Sequence, residues 1–328
     1  MKSNQNGQVS TTQSQILKIF STITKKYFII YAVITLVIIL SIFSDVFFSA
    51  QNLINVLRQS SMIAIIAVGV FFTIVAGGID ISVGSTVALS GIMMAKVIVD
   101  YKMPVFIGVL AGLVVGTAIG FVNGHLVTKR RIPPFVATLG IMGAVRGLTY
   151  VITDAYPVSG LPKGIYFIGR GYVGPIPVPV IIMIIVYIFA YIVAEHTRAG
   201  RFIFAIGGNE EAAHLSGIKV DRYKLFAYMT SGGLAALSGI ILVSRLASGQ
   251  PNAGIGYEFE AITAAVVGGT SLYGGKGTIP GVFLGAIFIA ILLNGMVLLN
   301  ISSYYQQMLK GIVLILAVMI DVARNTDN

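Results

Sequence analysis

Long apolar runs, separated by short polar or glycine-rich segments, follow one another along this chain from about residue 27 to residue 322. A helix that crosses a lipid bilayer needs about 20 mainly apolar residues. The pattern therefore predicts an all-α fold, a polytopic transmembrane bundle of about ten spans. The predicted spans lie at about 27–48, 60–78, 83–99, 104–122, 134–153, 177–194, 223–244, 260–274, 279–299 and 305–322.

Glycine pairs adjoin the third and the eighth of these runs. Gly77-Gly78 precedes the third run, and Gly268-Gly269 lies within the eighth. Irregular backbone is tolerated at membrane depth only where it lies against protein or water. We therefore expect both segments to be broken or re-entrant.

A weak internal similarity is compatible with two related halves. A glycine pair with a later glycine occurs twice, and so does a basic residue followed by glycine. The matching positions are Gly77-Gly78 with Gly84 against Gly268-Gly269 with Gly275, and Arg146-Gly147 against Lys310-Gly311. Transporters often contain inverted repeats, so an inverted repeat is one interpretation.

Composition supports lipid as the surrounding medium. The chain has 328 residues, of which 56% are hydrophobic and 10% are charged, whereas soluble domains carry roughly 25% charged residues. The first 24 residues are polar and lack the layout of a signal peptide, so we expect residues 1–24 to form a disordered cytoplasmic tail. Residues 25–328 then form a single transmembrane permease domain.

Basic residues set the expected orientation, because cytoplasmic segments carry an excess of Lys and Arg. The formal charge is +10, and topology accounts for much of it without a nucleic-acid partner. A cytoplasmic N-terminus and C-terminus place 14 of the 22 basic residues inside. These are Lys2, Lys18, Lys25, Lys26, Lys129, Arg130, Arg131, Arg198, Arg201, Lys219, Arg222, Lys224, Lys276 and Arg324, against Arg58, Lys96, Lys102, Lys163, Arg170 and Arg245 outside.

Three ionisable residues fall at or within predicted spans: Asp80, Arg146 and Lys310. Such groups are costly in lipid and usually face the bundle interior or a wet pathway. A translocation pathway is one interpretation. An interhelical ion pair or a helix cap is the other for Asp80 and Arg146, and Lys310 could extend to the membrane surface.

Neutral polar residues near the spans complete the candidate pathway, which a polyol would need more than a dense set of charges. Most such residues bond across helices. The candidate set is Asp80, Ser82, Asn123, Thr138, Arg146, Thr270, Ser271, Asn294, Gln306 and Lys310. The three histidines lie in or beside predicted inside loops, so a proton-coupled secondary transporter is disfavoured.

The longest inside loop, about residues 195–222, contains the signals of a short helix. Asn209 is a good helix N-cap, two acidic residues follow it, and Gly217 is a natural stop. A short helix is marginal alone in water, so docking on a partner would stabilise it. The alternative is a surface loop against lipid headgroups.

Neither an ATP site nor a membrane-enzyme centre is apparent in the sequence. Residues 274–278, GGKGT, differ from a phosphate-binding loop because Gly277 follows the lysine and Thr270 stands where a glycine is required. The chain has no cysteine, and we expect no metal site. Any ATP would be bound by a partner.

At several motifs the chain resembles the permease subunits of bacterial sugar ABC importers, of the ribose permease type. The matching stretches are 77–85 (GGIDISVGS), 134–140 (PFVATLG) with Arg146-Gly147, 207–213 (GGNEEAA) with 216–218 (SGI), 244–251 (SRLASGQP), 256–258 (GYE), 264–271 (AAVVGGTS), 274–277 (GGKG) and 302–306 (SSYYQ). The similarity covers nearly everything after the N-terminal tail. Permeases for xylose, galactose, inositol or a furanosyl signal (autoinducer-2) share these motifs, so the sugar stays open beside ribose.

The resemblance implies a function and partners that composition does not. The chain would be a multi-pass protein of the bacterial cell membrane that pairs with a second permease copy, and an extracellular or periplasmic sugar-binding protein would deliver substrate. A cytoplasmic ATPase carrying ATP-Mg would dock on the coupling loop. The resemblance assigns that loop to Gly207, Gly208, Asn209, Glu210, Glu211, Ala212, Ala213, Ser216, Gly217 and Ile218.

Overall fold

A computed structural model of the chain describes residues 29–326, so the tail predicted at residues 1–24 lies outside the described residues. The described part is a helical bundle with one two-stranded antiparallel ribbon. The α-helices are α1 (Ile29–Phe43), α2 (Ala50–Val75), α3 (Val83–Val99), α4 (Val105–Thr128), α5 (Pro134–Val151), α6 (Tyr166–Arg170), α7 (Val178–Tyr191), α8 (Arg198–Gly208), α9 (Glu210–Leu215), α10 (Val220–Leu246), α11 (Tyr257–Val267), α12 (Ile279–Leu298) and α13 (Ser303–Thr326). A 3₁₀ turn (Lys163–Ile165), a π turn (Ile192–His196) and the strands β1 (Tyr172–Val173) and β2 (Ile176–Pro177) complete the described elements.

Each predicted span coincides with a helix, and seven helices of the described residues are long and apolar enough to cross a bilayer. The helices Ile29–Phe43 and Val83–Val99 are apolar but shorter. The two largest differences from the predicted boundaries are in α2 and α11. The second helix begins at Ala50 rather than near residue 60, and the helix within the eighth run ends at Val267.

Glycines bring α4 and α10 into close contact at the centre of the bundle. Gly112, Gly116 and Gly120 recur every four residues on α4 and are buried. A methyl group at Gly116 would meet the Gly232 carbonyl oxygen, and one at Gly120 would meet the Tyr228 carbonyl oxygen. Close packing of backbones is a main source of helix association in lipid, so this seam fixes two long helices against each other.

Basic residues that the sequence assigns to the outside meet at one end of the bundle. The guanidinium of Arg58 donates to the Arg170 carbonyl at 3.4 Å and lies 4.5 Å from the centre of the Tyr172 ring. Arg170 Nε in turn donates to the Arg245 carbonyl at 2.7 Å. Arg58 lies within α2 rather than in a loop, because that helix begins at Ala50.

Two of the basic residues assigned to the inside, Lys129 and Lys224, lie at the opposite end. Lys129 pairs with Asp221 at 2.8 Å, and Lys224 pairs with Glu210 at 2.5 Å. Asp221 and Arg245 are near the two ends of α10, a helix of 27 residues and therefore about 40 Å long. The two groups of basic residues are thus separated as predicted, and the cytoplasmic assignment of either end stays a prediction.

The chain leaves helical geometry at both glycine pairs, as predicted. Between α2 and α3, Gly77 has a φ of 76°, and between α11 and α12, Gly269 has a φ of 92°. A further break, between α10 and α11, was not predicted, and there Ala247 has a φ of 60°. The helix α11 has 11 residues and spans about 16 Å, roughly half of a hydrocarbon core. It ends before Gly269, whose φ of 92° turns the chain.

A pair of buried asparagines joins α2 to α12. Asn52 Nδ2 donates to Asn294 Oδ1 at 3.1 Å, and Asn294 Nδ2 donates to Asn52 Oδ1 at 2.8 Å. Asn52 Nδ2 also donates to the Phe47 carbonyl at 2.9 Å. Each amide therefore satisfies the other, and Asn294, a candidate pathway residue, has a structural role here.

We expect Asn294→Ala to lower the free energy of unfolding by about 1–3 kcal/mol, because it leaves the buried Asn52 amide without its partner. The measurement is the thermal unfolding midpoint of the purified protein in detergent. Gln51→Ala is the matched control, since Gln51 is the exposed neighbour of Asn52 on the same helix. Equal midpoints for the two variants would contradict a stabilising role for the pair.

Candidate functional site

Asp80 lies in the interrupted segment between α2 and α3 and is 1% exposed. Its Oδ1 accepts hydrogen bonds from the Ser82 amide at 3.0 Å and the Ser82 hydroxyl at 2.7 Å. Its Oδ2 accepts from the Ser231 hydroxyl on α10 at 2.8 Å. Asn123 on α4 donates to Ser82 Oγ at 2.8 Å and to Asp80 Oδ1 at 3.4 Å. One carboxylate thus ties the interruption to two neighbouring helices.

The carbonyl of the preceding residue, Ile79, is held in the same way. The Thr138 hydroxyl on α5 and the Tyr228 hydroxyl on α10 approach it at 3.3 Å and 3.4 Å. The structure therefore brings together four of the candidate residues, Asp80, Ser82, Asn123 and Thr138, in one closed polar cluster. Because all four are buried, the arrangement favours the cap interpretation of Asp80 over a wet pathway.

A cavity of about 470 Å³ lies between α2, α10, α11, α12 and α13. Lys310 on α13 lines this cavity and forms an ion pair with Glu260 on α11. Gln306, one turn before Lys310, lines it as well and donates to the Ile301 carbonyl at 2.8 Å. Two candidate residues of the predicted pathway thus share one polar wall.

Arg146 contacts the loop that borders this cavity. Its Nη1 donates to the carbonyl oxygens of Pro251 and Ala253, at 2.9 Å and 2.8 Å. Both distances are those of ordinary hydrogen bonds. Arg146 is a candidate residue on α5, and its guanidinium joins this helix to the loop 247–256.

The predicted short helix on the inner face is present as α9. The Asn209 side chain accepts a hydrogen bond from the Ala212 amide at 2.8 Å, and Glu210 and Glu211 occupy the first turn. The helix stops at Leu215, and Gly217 follows with a φ of 80°. The same loop contains a second helix, α8 (Arg198–Gly208), that the sequence interpretation did not include.

The C-terminal end of α8 packs directly against two other backbone segments. A methyl group at Gly207 would meet the Val75 carbonyl oxygen, at the end of α2, and the Gly275 amide nitrogen. The Gly275 amide donates to the same Val75 carbonyl at 3.0 Å. We name the contact of Gly207, Gly275 and Val75 the glycine junction. It lies directly before α9.

The remaining candidates, Thr270 and Ser271, lie in the loop that leads to the glycine junction. Thr270 and Ser271 are buried, and the Ser271 amide donates to the Lys276 carbonyl at 3.0 Å. Residues 271–276 therefore form a tight turn, and Gly274 and Gly275 in this turn pack on the end of α8. The predicted pathway residues are divided among the Asp80 cluster, the cavity and its bordering loop, the asparagine pair and this inner turn.

Sequence interpretation missed the acidic partner in the cavity wall. Glu260 and Glu258 are both buried at the start of α11. A buried carboxylate needs a partner, and Lys310 was already a candidate without one. Pairing Lys310 with the acidic residues at the start of the eighth apolar run would have predicted the ion pair with Glu260.

We expect Asp80→Ala to reduce the yield of folded protein and its thermal unfolding midpoint, because four donors lose an acceptor in a buried site. Asp80→Asn keeps one acceptor oxygen, so its yield and its unfolding midpoint should lie between those of the wild type and those of Asp80→Ala. Size-exclusion profiles and thermal unfolding in detergent provide the measurement. A wild-type midpoint for Asp80→Ala would exclude a structural role for the cluster.

Comparison with known proteins identifies the family of this chain. Residues 52–318 match the family described as branched-chain amino acid transport system / permease component. The chain is similar to the ribose import permease of Haemophilus influenzae (46% identical over 294 residues, 88% of this chain and 91% of that protein) and to that of Bacillus subtilis (45% over 316 residues, 96% and 97%). It is also similar to the D-allose transport system permease of Escherichia coli (38% over 291 residues, 87% and 89%).

No solved structure matches the chain. The family match covers most of the helical bundle described above, and the relatives align over nearly their whole length. The chain therefore belongs to this family of transport-system permease components, and it is a multi-pass protein of the bacterial inner membrane.

Proposed function

We propose that this chain is the membrane-spanning subunit of an ATP-binding cassette importer and that its substrate is D-ribose. The observation that carries the substrate assignment is the 46% identity to a ribose permease over 88% of the chain, against 38% to an allose permease. The amino acids in the family's description do not decide the substrate, because one fold hosts many specificities. Xylose, galactose, inositol and a furanosyl signal are the alternatives to test.

A partner supplies the energy in this proposal. The turn at residues 274–278 is packed against α8 and the end of α2, which leaves its backbone amides poorly placed to cradle a phosphate. ATP-Mg would instead bind to a cytoplasmic ATPase. The chain itself would be a transport subunit rather than an enzyme.

The helix α9 is the proposed ATPase contact. It is short, capped and projects from the bundle, with Leu215 80% exposed at its end. Its Glu210 is tied to Lys224 at the start of α10 by the 2.5 Å ion pair. A short helix that presents an apolar side chain can lie in a groove of a partner protein.

Through the glycine junction, a displacement of α9 can be transmitted to the helices of the bundle. Displacement of α9 moves the end of α8, which touches both the end of α2 and the turn that follows α11. Backbone contacts without intervening side chains leave little room for motion to be absorbed. The route then continues along α11 to the ion pair of Glu260 and Lys310.

A second permease copy and an external sugar-binding protein complete the proposed importer. Gly140, Gly143 and Gly147 on α5 have no other part of the described chain within contact of the position a methyl group would take. Small residues on a membrane helix allow another helix to approach closely. This face supports the pairing of two copies around one pathway.

Deletion of the gene should abolish high-affinity uptake of labelled D-ribose, and re-expression should restore it. Uptake by whole cells, with xylose, galactose, inositol and a furanosyl signal as competitors, is the measurement. Competition by ribose alone supports the substrate assignment. Uptake that persists after deletion, or that another sugar inhibits better, assigns the permease to a different substrate.

A second expectation concerns coupling. Gly207→Ala should lower ribose uptake at least tenfold while ATP hydrolysis by the assembled importer persists, because the added methyl group forces the glycine junction apart. Gly208→Ala is the matched control, since nothing lies within 4 Å of its added methyl group. Uptake and ATP hydrolysis are measured in proteoliposomes. Equal uptake by both variants would rule out this route.

A further inference from the structure

The cavity beside Glu260 and Lys310 opens toward the outer end of the bundle. Gln59, near the start of α2, and Arg245, near the end of α10, both line it. Arg245 belongs to the outer group of basic residues, and Gln59 is the neighbour of Arg58 in that group. A solute released at the outer face therefore meets this cavity first, before it reaches the middle of the bundle.

Neutral hydrogen-bonding groups line much of the cavity. The exposed side chains of Gln59 and Asn252 and the half-buried Tyr257 hydroxyl line it, and no hydrogen bond within the described part of the chain occupies these three groups. Gln250 and Gln306 each use the amide NH₂ locally, to Ser248 and the Ile301 carbonyl, which leaves each side-chain oxygen to accept from a solute. Amides that both donate and accept suit a molecule with several hydroxyl groups.

Apolar side chains form another part of the cavity lining. Met62, Ile63 and Leu242 are buried, and together with Leu293 they line the cavity. A sugar ring presents C–H groups as well as hydroxyls, so a pocket with an apolar wall and a few placed polar groups fits it. The volume of about 470 Å³ is in the usual range for a small-molecule site.

Charge within the cavity is balanced in part. The ion pair of Glu260 and Lys310 closes its inner side, and a paired carboxylate and ammonium attract an ion far less than either alone. Arg245 also lines the cavity and adds a positive charge, which disfavours a metal ion. The charged groups still offer an acceptor and several donors to the hydroxyl groups of a polyol.

We propose that this cavity is the receiving subsite for a neutral monosaccharide, where the sugar is held by the amides of Gln59, Asn252, Gln250 and Gln306. The proposal rests on the proposed import function and names the place where the permease itself contacts the sugar. It also assigns a role to Asn252, Gln250 and Gln59, which lie outside the candidate set derived from sequence.

Substitution in the complete importer tests the subsite. Gln59→Leu and Asn252→Leu should each reduce the ribose moved per ATP hydrolysed about three- to tenfold, since each removes hydrogen bonds to the sugar. Gln51→Leu is the matched control, because it makes the same change on an exposed glutamine two helical turns away on α2 and outside the cavity. Labelled D-ribose in proteoliposomes is the probe, with the binding protein saturated.

Structural damage is separated from loss of the subsite by a second measurement. The chain has no cysteine, so Asn252→Cys and Gln51→Cys each introduce a single thiol for a charged methanethiosulfonate reagent. D-ribose should slow labelling in the permease–ATPase complex at residue 252 and leave labelling at residue 51 unchanged.

The outcomes separate the subsite from the import function. Wild-type ribose transport combined with full activity of Gln59→Leu and Asn252→Leu, or with labelling at residue 252 that ribose does not slow, overturns the subsite and leaves the import function intact. An importer that moves no ribose even with the wild-type chain overturns the proposed function itself.

Discussion

The hydrogen bonds to Asp80 are the interaction on which the bundle depends, because they permit a break in the backbone at membrane depth. Where helical pairing stops between α2 and α3, the free polar groups cannot turn to water and must find partners within the protein. Asp80 accepts from Ser82 and Ser231, and Asn123 donates into the same cluster. The break is therefore bound to α10 and α4, and α3 can begin deep in the bundle rather than at its surface.

Close glycine contacts join the inner loop to the interrupted elements in the same way. At the glycine junction, Gly207 lies against the end of α2 and the turn after α11, so the inner loop is in contact with two interrupted elements at once. From there α11 leads over about 10 Å, from Val267 back to Glu260, to the cavity wall. A short rigid helix between two fixed contacts transmits displacement better than a long flexible loop, and this favours coupling between the inner face and the outer cavity.

Helix existence was predictable because every long apolar run must be helical in lipid. The Asn209 cap and the break at Gly77 also follow from local chemistry alone. Contacts between distant segments do not follow from local chemistry. Nothing in the local sequence indicates that Asn52 pairs with Asn294, 242 positions away, or that Arg146 holds the loop at Pro251 and Ala253. The start of α2 at Ala50 was missed because polar residues in its first turns interrupt the apolar pattern.

The ion pair of Glu260 and Lys310 lowers the net charge of the cavity that we propose as the sugar subsite. Isolated, either group would be expensive within the bundle and would attract ions of the opposite sign. Paired, the two groups cancel most of each other's field, keep their hydrogen-bonding atoms and join α11 to α13. Since the turn after α11 takes part in the glycine junction, this helix connects the cavity wall to the proposed ATPase contact.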